Sequence, residues 1–288
     1  MANNSSRQSM SESQVKIALW ATGIVVVAML SLLIVKGISS SRKDGAKTVG
    51  STPASAELIA KVTSVAQSTF DIVGSGSAGS LPVKLDAPAL TKDGKPHVLY
   101  IGAEYCPYCA TQRWPMVVAL SRFGTFSNLG ITHSASADVY PDTATFSFHG
   151  ASYSSQYLSF DGVETLSNEP QGSSYKPLDT LTSEQQDILT KYDAAPYVPA
   201  QSAGAIPFVD FGGKYMVSGS SYQPDILQGK RADAIASAFT DPSNSITQGI
   251  IGSANVVTAT LCTLTGDQPS TVCAAPVIQG LKAKLPTK

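Results

Sequence analysis

Charge is scarce in this 288-residue chain: the four charged residue types make up 14% of it and nearly cancel, for a net charge of −1. The lysines and arginines do not cluster among aromatics, so the electrostatic footprint of a nucleic-acid surface is missing and no nucleic-acid partner is expected. Histidine is scarcer still, at His97, His133 and His149 only. None of the three forms a metal-ligand pattern; each is expected to be an ordinary surface or hydrogen-bonded side chain, and neither a metal nor a cofactor is expected. Cysteine is limited to Cys106, Cys109, Cys262 and Cys273, too few for a disulfide-dense scaffold. At 43% hydrophobic content the chain can instead build one large core, with appendages.

Two of the four cysteines stand in the stretch that organises the rest, HVLYIGAEYCPYCATQRWPMVVALSRFG, residues 97–124. Residues 98–103 form a bounded apolar run with aromatic and β-branched members, which suits a buried strand. Cys106 then opens a helix. Pro107 fits the first turn, where a missing N–H costs nothing, and Met116, Val117, Leu120 and Phe123 repeat at helical spacing behind it. At a helix start the free N–H groups and the positive end of the macrodipole favour a thiolate, so Cys106 is the expected nucleophile. Cys109 lies on the same face one turn deeper and is the expected resolving thiol. Half of a zinc site is the competing reading, but Cys262 and Cys273 are not a second closely spaced pair. A purely structural bridge competes too, yet so small a loop stabilises little by chain entropy. Thiol–disulfide exchange is favoured over both.

Cys106-Pro107-Tyr108-Cys109 has the form of the glutaredoxin active site and is similar to the Cys-Pro-X-Cys of periplasmic disulfide oxidoreductases, all of thioredoxin fold. The wider run GAEYCPYCATQRW, with VGSGS and IPFVDFGG, resembles a prokaryotic thioredoxin-like family catalogued only as a domain of unknown function (number 929), over residues 55 to the C-terminus. The thioredoxin resemblance implies a cis-proline opposite the active-site helix and directly before a strand, and Ile206-Pro207 meets that demand. Phe208 to Phe211, a Gly212-Gly213 hairpin signal and Lys214 to Val217 follow it. By the same resemblance Tyr108, Ile206 and Pro207 are expected to contact an extended client peptide.

Residues 17–35 carry no charge and are bracketed by Lys16 and Lys36, which predicts a transmembrane helix rather than a cleaved signal peptide. A short tail, residues 1–16, precedes it. The Ser-, Gly- and Lys-rich residues 36–52 read as a flexible tether to a soluble domain, residues 53–288. That domain opens with a helix from a Thr52-Pro53 cap to Ser68, and residues 73–80 form a glycine-serine loop. Residues 140–200 are read as an insertion with its own strands and a helix capped at Thr182 or Ser183; its tyrosines Tyr140, Tyr153, Tyr157, Tyr175, Tyr192 and Tyr197 line a client groove or pack under a long loop. Residues 225–239 are expected to be the terminal helix of the fold, and residues 244–288 a helical extension stapled by a Cys262–Cys273 disulfide.

The expected architecture is therefore α/β: one transmembrane helix, then a thioredoxin-like domain with an α/β insertion and a helical C-terminal extension. The expected function is a membrane-anchored thiol-disulfide oxidoreductase that exchanges disulfides with envelope proteins and a redox partner through Cys106 and Cys109. A non-catalytic module that docks a partner through its tyrosine-rich insertion is the alternative. Lysines and arginines following the span favour a cytoplasmic domain. A structural disulfide demands an oxidising compartment, and on that ground the domain is expected outside the cytoplasm.

Overall fold

The computed structural model describes residues 51–79 and 81–287. The transmembrane helix expected at residues 17–35, the tail before it and nearly all of the tether lie outside the described residues. Among those described, no helix is long and apolar enough to cross a membrane.

The first elements are a short strand β1 (Thr52–Pro53) and two helices, α1 (Ala56–Thr63) and α2 (Gln67–Val73). The expected single helix to Ser68 is corrected here. Thr52 pairs with Ile131 instead of capping a helix, and the helix starts only at Ser55, whose hydroxyl accepts from the Leu58 N–H. Thr63 and Ser64 end that helix by turning their hydroxyls onto the carbonyls of Ile59 and Ala60, a local competition that serine and threonine favour.

Next come β2 (Val83–Lys84), β3 (Thr91–Lys92), β4 (Lys95–Gly102) and helix α3 (Pro107–Leu120). Asp93 and Gly94, both at positive φ, make the tight turn between β3 and β4 that their residue types favour. The chain continues through β5 (Thr125–Ser127), β6 (Gly130–His133), β7 (Ala144–Ser147), β8 (Ser152–Ser154), β9 (Ser159–Glu164), β10 (Leu166–Gln171) and β11 (Ser174–Pro177). Helix α4 (Ser183–Tyr192) follows, with a capping box between Thr182 and Gln185. Then come β12 (Phe208–Phe211), β13 (Tyr215–Ser218), α5 (Ala232–Ser237), α6 (Ser245–Leu264), α7 (Ser270–Cys273) and α8 (Pro276–Lys282).

The central sheet is built on β4. β12 pairs with it antiparallel on one side, β13 continues that side, and β2 closes the edge. β9 pairs with β4 in parallel from His97/Ser159 to Gly102/Glu164, while β3 reaches only its first residues. The alternation of β4 feeds two cores: Val98 and Tyr100 join the larger one with α3 and α6, and Leu99 and Ile101 join a second one with Val163, Phe208, Met216 and Tyr192. The sheet is thus covered on both faces, as a near-continuous apolar strand requires.

Two expected boundaries shift. Residues 140–200 are not a separate insertion, because β9 from that range is a strand of the central sheet and Tyr192 of α4 packs into its second core. The small sheets β1-β6-β7 and β5-β8 and the hairpin β10-β11 lie outside that sheet. Residues 244–288 are not a mere extension either. Helix α6 carries a run of buried residues from Ile250 to Cys262 and packs on α3, whereas residues 225–239 break at Gly229, which sits at positive φ, into a 3-10 turn and the short α5. Glycine in the 73–77 loop also has a tertiary reason. A Cβ on Gly76 would collide with the backbone of Gln248, and one on Gly252 with that of Ser75, so α6 meets the loop backbone to backbone. Cys262 and Cys273 form a disulfide with a Cα–Cα distance of 5.6 Å.

Candidate active site

Strand β4 ends at Gly102, and residues 103–106 carry the chain to the start of α3. Cys106 is the N-cap of that helix, in extended conformation, and Pro107 takes the first helical position, where proline lacks only a donor that would have gone unused. The Cys106 sulfur occupies the place of a capping side chain. It accepts the Cys109 backbone N–H at 3.3 Å, and its own S–H points to the Ile206 carbonyl at 3.7 Å. The Ile206–Pro207 peptide is cis, and Phe208 begins β12 directly after it. Cys106 and Cys109 are free thiols.

The two thiols are unequal. Cys106 is 6% exposed and Cys109 fully buried. The Cys106 thiol is held below its ordinary value, first by the hydrogen bond from the Cys109 thiol and then, against the cost of burial, by the Cys109 backbone N–H and the positive charge of Arg113. Burial pushes the Cys109 thiol well up, and its donation to Cys106 adds to the rise. Where the helix starts thus biases the outer sulfur toward its anion and the inner one toward its protonated form.

Aromatic rings frame the approach. Tyr108, between the cysteines, is 39% exposed and meets Tyr140 edge-on at 6.0 Å. Tyr105 stacks flat on Tyr175 at 4.5 Å, which brings the β10-β11 hairpin against the loop that leads to Cys106. Of the six tyrosines singled out in the sequence, only Tyr140 and Tyr175 reach this place. Tyr153 donates to the Leu120 carbonyl at the end of α3, and Tyr192 and Tyr197 pack on each other in the second core. Tyr157 only borders the main core.

Sequence reasoning missed the layer beneath the thiols. Arg113 and Glu164, both completely buried, form a bidentate pair, Nε to Oε1 at 2.7 Å and Nη2 to Oε2 at 2.6 Å. Nη2 also donates to the Ala103 carbonyl at 2.6 Å. Glu104, 1% exposed, accepts from the Ser147 hydroxyl at 2.6 Å, and the buried Tyr100 hydroxyl has no hydrogen-bond partner. The available signal was Arg113 four residues after Cys109, one turn down the same helix face.

The remaining candidates lie away from this site. His97 contacts Ser159 and Asp161, and His149 contacts Asp179; His133 Nδ1 lies 2.8 Å from the Ser134 carbonyl oxygen. Among the described residues no cluster of three or more histidine, cysteine or acidic side chains is arranged to hold a metal. Cys262 and Cys273 staple α6 to α7 on their own.

Fold and site together define a mixed α/β protein that presents two unequal free thiols at the N-terminus of its central helix. The chain belongs to the family described as Domain of unknown function (DUF929), whose model matches residues 81–263. No curated protein and no solved structure matches it.

Proposed function

We propose that this protein is a membrane-anchored thiol-disulfide oxidoreductase of thioredoxin-like fold, which exchanges disulfides with client proteins of the cell envelope through Cys106 and Cys109. The observation that carries the reading is the asymmetry of the pair: a capping sulfur held toward its thiolate and touching the Ile206 carbonyl, above a buried, protonated partner. The order β4-α3-β9 with parallel pairing, then the antiparallel β12-β13 hairpin after a cis-proline and the buried helix α6, supports the thioredoxin-like assignment.

The Cys106 thiolate attacks one sulfur of a client disulfide, forming the Cys106–client bond and expelling the other client sulfur as a thiolate. Cys109 then gives up its proton and attacks the Cys106 sulfur. The Cys106–Cys109 bond forms, the client leaves as a thiol once its sulfur takes a proton, and two electrons have moved to the client. The reverse sequence donates the disulfide. Tyr108 and the backbone at Ile206 and Pro207 flank the sulfur where a client strand would lie. The uncharged residues 17–35 anchor the chain, and the Cys262–Cys273 bridge favours an extracytoplasmic domain.

Equilibrating the protein in glutathione buffers of graded potential tests the reading. A reversible Cys106–Cys109 disulfide, together with client adducts trapped on a Cys109→Ser variant, supports it. A pair that never oxidises reversibly and traps nothing overturns it.

A further inference from the structure

The Arg113–Glu164 pair lies where the exchange reaction, if read correctly above, has its hardest ionisation. Cys106, Cys109 and Arg113 follow one another at three- and four-residue spacing along α3 and so share one face. Glu164 ends the parallel strand β9 opposite, and binds the Nε and Nη2 edge of the guanidinium; Nη1 has no hydrogen-bond partner. The Ala103 carbonyl accepts both Arg113 Nη2 and, at 3.3 Å, the Cys106 N–H. Arg113 therefore grips the turn that delivers Cys106 as well as the strand behind it.

A buried ion pair is a poor device for stability, since a packed apolar pair of the same volume does as well or better. This pair has a chemical use within its reach. When Cys109 attacks the Cys106–client disulfide it must become an anion in a site without water contact, which is costly unless a fixed cation stands near. Tyr100, whose ring lies 6.0 Å from the Arg113 guanidinium, and Tyr105 are the other titratable groups that face the thiols, with Glu104 next to Glu164 behind them. Arg113 is the one cation among these groups.

We propose that Arg113, aimed and held by Glu164, is a positioning residue that stabilises the Cys109 thiolate and thereby speeds release of the client from the mixed disulfide. The proton from Cys109 ends on the departing client sulfur, so charge and atoms balance across the step. Of the two members of the pair, the guanidinium acts more strongly on Cys109 than the carboxylate does, which fixes the sign of what each substitution does.

The test uses full-length protein carrying glutathione on Cys106, and follows glutathione release by Cys109 as a function of pH. In Arg113→Met/Glu164→Leu, an apolar replacement expected to keep the fold, the midpoint of the rate profile rises by about 1 to 3 pH units relative to wild type. In Glu164→Gln the cation loses its counter-charge and the midpoint falls. Arg113→Lys shifts it less than the double variant. Profiles that superimpose, or a double variant and Arg113→Lys that shift equally, overturn the role of Arg113 while leaving the exchange reaction intact. Wild-type protein that never releases glutathione overturns both readings.

Discussion

Between Cys106 and Cys109 the difference is one helical turn, yet it separates a sulfur that accepts an N–H at the helix start from one that has no exposure at all. Alkylation at mildly acidic pH should therefore label Cys106 well before Cys109, and mapping the labelled residue by mass spectrometry checks it; equal, slow labelling of both would remove Cys106 as nucleophile. Asp210 illustrates the opposite effect. Its carboxylate accepts the Gly213 N–H at 2.6 Å, but burial raises it to about 6. An acid whose folded value is raised binds more protons folded than unfolded, so stability increases as pH falls from above 6 toward the ordinary carboxylate value. Replacing Asp210 by Asn keeps an acceptor and should remove that slope, worth roughly 2 to 3 kcal/mol at neutral pH. Denaturant unfolding of both proteins at pH values across that window measures it, and parallel pH curves would show that Asp210 is not the source.

At the scale of the element, helix α3 contains Pro115, which cannot donate to the carbonyl four residues back at Thr111. The Tyr222 hydroxyl supplies the missing donor, at 3.0 Å from that carbonyl and fully enclosed. Next to it the Gln112 side chain accepts the Ser221 N–H at 2.8 Å, so the segment before α5 splints α3 at its weak point. Tyr222→Phe leaves the Thr111 carbonyl buried and unpaired and should cost about 1 to 3 kcal/mol in denaturant unfolding. An unchanged midpoint would mean that the helix closes on another donor.

For the whole molecule, the two ends of the described chain meet at α6. The helix runs through the centre of the larger core, against α3 on one flank and the 73–77 loop on another. Its C-terminal end is held to α7 by Cys262–Cys273, across a sequence separation of 11. By the loop-entropy model, removing that bridge with Cys262→Ala/Cys273→Ala should cost about 3 kcal/mol. It should leave the Cys106–Cys109 potential where it was, because the two pairs are built on opposite ends of different helices; a shifted potential would tie the staple to the active site. A bridge that persists in protein extracted without reductant, and a domain removed from intact cells by an impermeant protease, are the results expected of an extracytoplasmic domain.

Local chemistry made the strand, turn and helix around Cys106 and Cys109 legible from sequence alone. An apolar run, a Cys-Pro-Tyr-Cys and helical periodicity act within a few residues of each other, and so do the Asp93-Gly94 turn and the capping box at Thr182. The family and the α/β class were legible for the same reason. Contacts between distant residues were not. Residues 140–200 looked like an addition because nothing within them announces that β9 pairs in parallel with β4, a partner about sixty residues earlier that only a crossover can reach. Helix α6 looked like an appendage because apolar periodicity reports a buried face without naming what buries it. Arg113 shows the same limit at a single side chain. An arginine in a helical pattern reads as a solvated charge, and only a carboxylate arriving from another strand makes its burial affordable and puts a fixed cation beneath the thiols.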